Sequence, residues 1–366
     1  MRTKIKNYIT CFATAFFLFG FLLWGIIAPD KDVSTSERRP LAKMPTLTME
    51  SVLDNKFMSD FENYTLDQFP LRDNFRTLKA MVSFYVFRQK DNNQIYVNDG
   101  YAAKMEYPLN DSSITYAGKR FGYLYDTYMA DKNINVYLTI VPDKSYFLAD
   151  KNGCLSMDYE EFVRKMCAET PFAEYIDIMP LLSIDDYYAT DTHWRQEKLL
   201  PVAGYLAEAM GGSLKESYST AQLDIPFYGV YYGQSALPLP AEPLYYLESA
   251  FLDACMVKDF ETGDTIPVYN LEKGHGNDPY ELFLSGSKSL IEITNPNAST
   301  DKKLILFRDS FGSSIAPLFA ENYAKVTLVD IRYIAPQILG RLIEFDDQDV
   351  LFLYSTSVLN NSTTLK

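Results

Sequence analysis

The feature that most constrains this chain is an uncharged, strongly apolar run near its N-terminus, Tyr8–Ala28. Three basic residues, Arg2, Lys4 and Lys6, precede it. About twenty apolar residues cross the hydrocarbon of a bilayer as a helix, and basic flanks stay in the cytoplasm. The sequence therefore predicts a single-pass membrane anchor over residues 1–28, with the bulk of the chain outside the cytoplasm.

A cleaved signal peptide is the competing interpretation of the same run. The run is long for the apolar region of a signal peptide, and no small-x-small cleavage site ends it, because Trp24-Gly-Ile-Ile-Ala-Pro follows. We favour the uncleaved anchor, and both alternatives stay open at this point.

Composition limits what the exported part can be. Of the 366 residues 47% are hydrophobic, so the chain can bury a core and is not disordered throughout. The formal net charge is −14, and residues 1–28 hold three basic residues and no acid, which leaves the exported part at −17. Such a charge favours solubility and argues against a nucleic-acid partner.

Cofactor chemistry finds no support in the motifs. Two histidines and four cysteines are too few for a zinc finger or a disulfide-dense scaffold. No spacing indicates a metal site, a phosphate-binding loop or a dinucleotide fingerprint, so we predict neither a metal nor a cofactor.

The exported part divides by composition. Residues 29–46, rich in charge, serine and proline, are predicted to be a linker, and residues 47–366 a single folded domain. Within it, 212–300 has many prolines and tyrosines and no helical period, which indicates a partly β insertion. The first part of the domain is predicted to contain helices near 48–63, 72–88 and 111–131 and a hairpin over Gln94–Met105.

Beyond residue 134 the pattern is typical of an α/β protein. Short, nearly continuous apolar runs suit parallel strands that are buried on both faces. Together with the intervening helical segments they predict a three-layer α/β/α domain with an open parallel sheet. The predicted strands are 135–141, 174–179, 303–309, 325–331 and 349–355, and the predicted helices are 159–168, 195–210, 312–323 and 334–345.

Ser310 is the first candidate for chemistry. It follows the apolar run of 303–309 and precedes a helical segment, and ligands bind at this edge of open α/β sheets. A serine beside a helix N-terminus lies near N–H groups that can stabilise an oxyanion, and its own backbone N–H is the natural first donor. The alternative is a serine that merely caps the helix.

Asp191 and His193 are the second candidates. A serine nucleophile needs a base, an imidazole has a suitable pKa, and a carboxylate can orient it. An Asp-x-His pair in one loop supplies both groups. The alternative for His193 is a structural histidine packed against Trp194. The other histidine, His275, lies in a polar, glycine-containing segment.

These two blocks resemble the DHHW proteins, which are similar to the periplasmic alginate O-acetyltransferases, a branch of the SGNH/GDSL hydrolases. The resemblance rests first on Asp191-Thr-His-Trp194 and on Asp309-Ser310-Phe. Weaker pieces extend it over most of the chain from about residue 36 to 355. They are Glu37-Arg-Arg-Pro-Leu-Ala with Met44-Pro, Tyr64-x-x-Asp67-Gln-Phe-Pro-Leu-Arg72, Val141-Pro-Asp-Lys144, Tyr231-Tyr232, Asp278-x-Tyr280 with Gly286, and Asp330-x-Arg332-Tyr333.

The resemblance implies an SGNH-hydrolase-like fold with reordered catalytic blocks, because the Asp/His block precedes the serine block here. It implies that Ser310 is the nucleophile, His193 the general base and acid, and Asp191 the orienting carboxylate. Arg308 stands before Asp309 where many relatives have glycine or lysine. Substrate contacts are assigned on weaker grounds to Trp194, Arg332, Tyr333 and Lys144.

Three functions follow as hypotheses. The first is an extracytoplasmic O-acetyltransferase that acylates hydroxyls of a cell-surface polysaccharide, with a membrane-bound O-acyltransferase as a partner implied by the resemblance. The second is a carbohydrate esterase that uses the same triad. The third is a non-enzymatic, polysaccharide-binding scaffold of the cell envelope.

Overall fold

The computed structural model describes residues 2–366. They form two compact units, each described by itself. The smaller comprises the described residues up to Asn92 together with 233–238, and the larger comprises 93–232 and 239–366. The boundary after Asn92 lies later in the chain than residue 47, where the sequence analysis began the folded domain.

The smaller unit is mainly helical. Its first helix is long and apolar enough to cross a membrane, and among residues 2–366 it is the one such helix. In chain order the elements are α1 (Arg2–Ile27), β1 (Val33–Ser34), β2 (Arg39–Pro40), α2 (Met49–Leu53), α3 (Lys56–Asp67), α4 (Arg72–Met81), a π-helical turn at Val82–Val86, and β3 (Asp91–Asn92).

The helix predicted over 48–63 is divided in two. Asn55 has φ +60°, in the left-handed region that asparagine tolerates better than most residues, so α2 ends and α3 begins there. The side chain of Thr48 caps α2 by accepting a hydrogen bond from the Ser51 N–H. The helix predicted over 72–88 is found as α4 followed by the π-helical turn.

From Asn93 onward helices and strands are interspersed. In chain order they are β4 (Ile95–Asn98), β5 (Tyr101–Lys104), α5 (Asp111–Tyr128), β6 (Asn135–Val141), α6 (Ser145–Asn152), α7 (Tyr159–Glu169), β7 (Glu174–Tyr175), α8 (Leu200–Ala209), β8 (Ser219–Gln222), α9 (Val230–Ser235), β9 (Tyr245–Glu248), α10 (Ala250–Ala254), β10 (Met256–Asp259), β11 (Thr265–Ile266), α11 (Leu271–Gly274), β12 (Leu290–Thr294), β13 (Lys303–Arg308), α12 (Gly312–Phe319), β14 (Lys325–Val329), β15 (Asp349–Ser355) and α13 (Thr356–Leu359).

One large sheet organises the larger unit. Among the described residues it has eight strands in the order β11-β10-β12-β14-β13-β15-β6-β7. The five strands from β14 to β7 run parallel, and β12, β10 and β11 add on antiparallel at one edge. The predicted α/β class with a mostly parallel sheet is confirmed. The antiparallel edge was not predicted, and it comes from the segment interpreted as an insertion.

Alternate residues of the central strands pack into two separate hydrophobic cores, one on each face of the sheet. In β13, Leu304 and Leu306 face a core shared with α8 and α12, whereas Ile305 and Phe307 face a core shared with α5 and α7. Because successive strand residues point to opposite faces, each side of the sheet carries its own layer of helices. This is the predicted three-layer arrangement.

Strand prediction was best where burial is complete. The predicted ranges of β6 and β15 coincide with the observed strands, whereas 174–179 pairs only over Glu174–Tyr175. The helix predicted over 334–345 is a 3-10 segment at Pro336–Arg341, and 195–210 is a 3-10 turn at Gln196–Lys198 followed by α8. Pro336 begins its segment without an N–H to donate.

Candidate active site

Ser310 lies at the carboxyl end of β13, in the turn that leads into α12. Asp309 holds this turn, because its carboxylate accepts hydrogen bonds from the Phe311 N–H at 3.0 Å and from the Ser355 N–H at 2.7 Å. The second contact joins the turn to the end of the neighbouring strand β15. The buried turn therefore presents a partly exposed serine at a defined position.

His193 meets this serine from a loop 117 positions earlier in the chain. Its Nε2 lies 2.7 Å from Ser310 Oγ, and its Nδ1 lies 2.6 Å from Asp191 Oδ1. Asp191 is fully buried, and its carboxylate also accepts from the backbone N–H groups of His193 and Val230. The three side chains form a continuous hydrogen-bonded row of hydroxyl, imidazole and carboxylate.

This row has the geometry required for proton transfer from the serine. Both contacts are within hydrogen-bond reach, so the imidazole can take the hydroxyl proton at Nε2 while the carboxylate holds the N–H at Nδ1. The prediction that Asp191, His193 and Ser310 converge at one edge of the sheet agrees with the observed distances. Their catalytic roles stay a prediction.

The imidazole of His193 contacts two aromatic rings. Tyr280 stacks on it with ring centroids 3.9 Å apart and planes inclined by 8°, and Phe311 lies at 5.1 Å. The Tyr280 hydroxyl donates to Ser314 Oγ at 2.9 Å. Burial raises the pKa of the Tyr280 phenol well above its ordinary value, so Tyr280 stays neutral.

Trp194 differs from the substrate-contacting role predicted for it. It is fully buried, and its indole N–H donates to the Phe311 carbonyl at 3.1 Å and to Ser314 Oγ at 2.9 Å. Because no part of the ring reaches the surface, Trp194 ties the histidine loop to the start of α12 and packs in the core.

Lys144 also differs from its predicted role. It is buried, and its ammonium donates to the carbonyls of Tyr188 and Ala189 at 2.9 and 3.1 Å. Burial lowers the pKa of Lys144 to about 7, although the carboxylates of Asp191 and Glu242 act in the opposite direction. Lys144 therefore holds the backbone just before Asp191 and does not face a substrate.

Glu242 holds the same loop through its N–H groups. Its carboxylate accepts from the Ala189 N–H, the Thr190 N–H and the Thr190 hydroxyl, each at 2.8 Å. Together Lys144 and Glu242 fix the carbonyls and the N–H groups of the segment before Asp191. The sequence analysis missed Glu242, and no motif in the chain points to it.

Arg332 is engaged by an acid beside it. Its guanidinium contacts the buried Asp330 carboxylate at 2.9 and 2.6 Å, and that contact raises the pKa of Arg332 above its ordinary value against the effect of burial. Tyr333 is half exposed, with the Arg332 guanidinium 5.4 Å from its ring centroid. Tyr333 is the one predicted substrate contact whose side chain is exposed. Within residues 2–366 this side chain makes no hydrogen bond.

Gly229 allows a close approach that shapes the site. A Cβ at this position would lie 2.3 Å from the backbone of Asp191, closer than real Cβ atoms come to other heavy atoms. The absence of a side chain lets Val230 reach the Asp191 carboxylate with its N–H. Tyr280 and Gly229 are thus functional candidates that sequence reasoning did not assign, although Tyr280 belonged to the resemblance.

The described part of the chain contains no group of three or more histidine, cysteine, aspartate or glutamate side chains placed to hold a metal ion. Among residues 2–366 the cysteines form no disulfide bond.

Comparison with solved structures finds other chains with this fold. A DHHW family protein from Eubacterium siraeum matches with a TM-score of 0.60 and 18% identity, over 75% of this chain and 95% of that one. Bacillus cereus PatB1, solved with a sulfonyl adduct, matches with a TM-score of 0.57 and 18% identity, over 72% and 94%. This chain shares their fold.

The O-acetyltransferase domain of Pseudomonas putida AlgJ is more distant, with a TM-score of 0.45 and 12% identity over 73% of this chain and 92% of that one. No family model matches the chain, and no curated protein matches it. The DHHW resemblance noted in the sequence has a counterpart in the solved structure from Eubacterium siraeum.

Proposed function

We propose that this protein is a membrane-anchored, extracytoplasmic acyltransferase that moves an acetyl group onto a hydroxyl of a cell-surface polysaccharide. The observation that carries the proposal is the row of Ser310, His193 and Asp191, with contacts of 2.7 and 2.6 Å. The fold shared with a DHHW family protein and with PatB1 supports it.

The reaction would proceed in two halves through an acyl-serine. Ser310 Oγ attacks the acetyl carbonyl of the donor while its proton passes to His193 Nε2, and the tetrahedral intermediate expels the donor alcohol, which takes that proton. In the second half the sugar hydroxyl gives its proton to His193 and attacks the acyl-serine carbonyl. Ser310 leaves as the alkoxide, takes the proton back from His193 and is free again.

The oxyanion of both tetrahedral intermediates needs preorganised donors. The Ser310 N–H has no recorded acceptor among residues 2–366, whereas the Phe311 N–H is used by Asp309. Ser310 also lies two residues before Gly312, the first residue of the eight-residue helix α12, whose N-terminal end is electropositive. We assign the Ser310 N–H as the first oxyanion donor.

The proposed location is supported by the first helix. With α1 as an uncleaved anchor and its basic flank in the cytoplasm, the rest of the chain lies outside the cytoplasm. The resemblance implies a membrane-bound O-acyltransferase that delivers the acetyl group from the cytoplasmic side. The polysaccharide acceptor belongs to the same proposal.

Covalent labelling tests the nucleophile. The full-length protein in detergent is treated with an aryl sulfonyl fluoride, and the modified peptide is located by mass spectrometry. We expect modification at Ser310 and none in Ser310→Ala, while Ser313→Ala, a matched change three residues along the same segment, keeps the label. A wild-type protein that remains unlabelled but binds glycan favours the scaffold hypothesis and overturns the proposal.

Product analysis separates transfer from hydrolysis. Wild type and Ser310→Ala are given an acetyl-phenol donor with and without a neutral oligosaccharide. Acetylated sugar that depends on Ser310, with a rate loss of at least about 10³-fold in the variant, supports the transferase. Free acetate at a rate unaffected by the sugar supports the esterase alternative.

A further inference from the structure

Two weak pieces of the sequence resemblance, 37–44 and 64–72, form one structural clasp in the smaller unit. Arg39 makes a two-pronged contact with Asp67 at 2.8 and 2.6 Å, and Glu37 pairs with Arg72 at 2.5 Å. The catalytic proposal gives these residues no task. Their contacts fix the chain that leaves α1 against α3 and α4.

Hydrogen bonds from α3 and Gln68 also reach the residues that directly follow the apolar helix. The side chain of Gln68 accepts from the Lys31 N–H at 2.9 Å and donates to the Lys31 carbonyl at 3.0 Å. The Tyr64 hydroxyl donates to Asp30 at 2.9 Å. The C-terminal end of α3 is therefore held at the level of the residues that directly follow α1.

Aromatic rings then contact α1 well before its end. Phe21 stacks on Phe69 with centroids 5.4 Å apart and meets Phe75 edge-on at 5.6 Å. Pro70 packs over Gly25, where a Cβ would lie 3.7 Å from the proline ring. These contacts are on the side of α1 that is half-buried in the unit.

The position of Phe21 along α1 sets the depth of these contacts. The run Tyr8–Ala28 is about 30 Å long at 1.5 Å per residue, which matches the hydrocarbon thickness of a bilayer. Phe21 lies seven residues before Ala28, or about 10 Å inside the outer boundary of the hydrocarbon. If α1 spans the membrane, Phe69 and Phe75 lie within the outer leaflet.

An open apolar groove of about 670 Å³ lies at the same depth. It is lined by Phe17, Phe21 and Ile26 of α1 and by Phe61, Tyr64 and Pro70 opposite them. Within the hydrocarbon the molecules that could fill such a groove are acyl chains.

Many apolar side chains of α2, α3, α4 and the segments that flank these helices are exposed. We call this set the juxtamembrane apolar face, and its exposed residues are Leu47, Met49, Val52, Leu53, Met58, Leu66, Phe69, Leu71, Leu78, Met81, Tyr85, Val86 and Phe87. An apolar set of this size in contact with water costs free energy, and it marks an interaction surface.

Charge distinguishes this region from the rest of the exported chain. Residues 29–92 contain ten basic and ten acidic residues, whereas residues 93–366 have a formal net charge of −17. The region next to the anchor is therefore neither repelled by anionic lipid nor attracted to it. Contact with the membrane here would rest on apolar burial.

We propose that the juxtamembrane apolar face is inserted among the acyl chains of the outer leaflet, so that α3 and α4 lie in the membrane interface beside α1. The inference rests on the anchor that the proposed function includes, and it concerns none of the reacting groups. Its partner is lipid, because the rings that begin the face already contact α1 at hydrocarbon depth.

Depth-dependent quenching tests this placement in the full chain. The four cysteines are replaced by alanine, and a single NBD-labelled cysteine is introduced at Leu66 or Leu78, which are 62% and 56% exposed. Leu181→Cys is the matched control, a 42% exposed leucine of the larger unit, and Phe16→Cys in α1 reports insertion of the anchor. Each variant is checked by circular dichroism and reconstituted in phosphatidylcholine nanodiscs with or without acyl-chain nitroxide.

We expect nitroxide lipid to quench the labels at Leu66, Leu78 and Phe16 but not the label at Leu181, and aqueous iodide to quench only the Leu181 label. Replacing half of the lipid by phosphatidylglycerol should change neither result. Labels at Leu66 and Leu78 that iodide quenches like the Leu181 label overturn the proposal, as does a Phe16 label outside the lipid. Protection that occurs in native membranes but not in pure lipid overturns it in favour of a protein partner.

The readout does not involve acyl transfer. The same quenching in a Ser310→Ala background keeps the lipid inference independent of the catalytic proposal. Either can therefore fail while the other stands.

Discussion

At the residue scale, the candidate site depends on how tightly Asp191 is held. Its carboxylate accepts hydrogen bonds from the backbone N–H groups of His193 and Val230. Lys144 and Glu242 bind the backbone of the residues just before it. A buried carboxylate that is fixed by several hydrogen bonds keeps the imidazole beside it in one orientation. Substitutions of the residues that hold Asp191 should therefore change the reaction rate, although these residues do not contact the substrate.

Gly229→Ala tests the close approach to Asp191. The new Cβ would meet the Asp191 backbone at 2.3 Å, so the chain must shift and the Val230 contact is lost. A displacement of about 1 Å can cost about 10²-fold in rate. We expect kcat with an acetyl-phenol donor to fall by about that factor, with a much smaller change in KM.

Gly204→Ala is the control, because nothing lies within 4 Å of a Cβ at that helical position. It should keep full activity and raise the free energy of unfolding by up to about 1 kcal/mol. Equal kcat values for Gly229→Ala and wild type would contradict the role given to the close approach.

Lys144→Met tests the buried ammonium. The pKa of Lys144 is lowered by burial to about 7 in the folded protein, whereas an unfolded lysine titrates near 10.4. Between pH 7 and about 10 the unfolded chain therefore binds more protons, and raising the pH stabilises the folded state by up to about 1.4 kcal/mol per pH unit. Below pH 7 Lys144 is protonated in both the folded and the unfolded state, so it no longer makes the free energy of unfolding depend on pH.

We expect urea midpoints of the wild type to rise from pH 7 to pH 9 relative to those of Lys144→Met, in which this contribution is absent. Lys119→Met, at an exposed lysine of α5, should keep the wild-type slope. Parallel pH profiles for wild type and Lys144→Met would show that Lys144 does not titrate in this range.

At the element scale, the carboxyl edge of the parallel strands collects the functional groups. Ser310 follows β13, Lys144 follows β6, and Asp330 follows β14. Neighbouring parallel strands end on the same side, so residues far apart in sequence become neighbours there. The helices that cover the sheet keep this edge in place, and their stability can be tested separately.

Helix α5 offers such a test through its cap. The Asn110 side chain accepts from the Ser113 N–H, satisfying one of the N–H groups left over at the start of the helix. Asn110→Ala should lower the free energy of unfolding by about 1 kcal/mol, measured by urea denaturation. Asn110→Asp keeps an acceptor and adds a charge that suits the helix N-terminus, so it should stay close to wild type. If Asn110→Asp were destabilised as well, the loss of stability in Asn110→Ala would not be due to the missing helix cap.

At the scale of the whole molecule, charge is distributed unevenly along the chain. Residues 29–92 are neutral in sum, and the larger part of the chain, residues 93–366, carries −17. A field of this sign slows the approach of anionic acceptors, and salt screens it, with a screening length of about 30 Å at 0.01 M and 8 Å at 0.15 M.

We therefore expect kcat/KM for an anionic oligosaccharide acceptor to rise several-fold between these two salt concentrations, and kcat/KM for a neutral acceptor to stay constant. Initial rates of acetyl transfer measured at both concentrations check this. A fall with salt for the anionic acceptor would indicate a local basic patch that outweighs the net charge.

Local pattern was sufficient for some features of this protein. The apolar run before residue 29, the buried strands β6, β13 and β15, and the hairpin of β4 and β5 all follow from hydrophobic periodicity and turn residues, which depend on near neighbours in the chain. Residue type and position made Ser310 and the Asp191–His193 pair candidates, and the resemblance to the DHHW proteins implied their roles.

Only the tertiary structure decided how distant segments meet. It placed Ser310 Oγ 2.7 Å from His193 Nε2, across 117 positions of the chain, and stacked Tyr280 on the imidazole. It added three antiparallel strands to the sheet. It also buried Trp194 and Lys144, which the sequence analysis had assigned to substrate contact. Burial and long-range contact depend on which surfaces pack together, and that is decided by the free energy of the whole chain. A short window of sequence records what a side chain can do, whereas the packing around it determines whether it faces a substrate or the core.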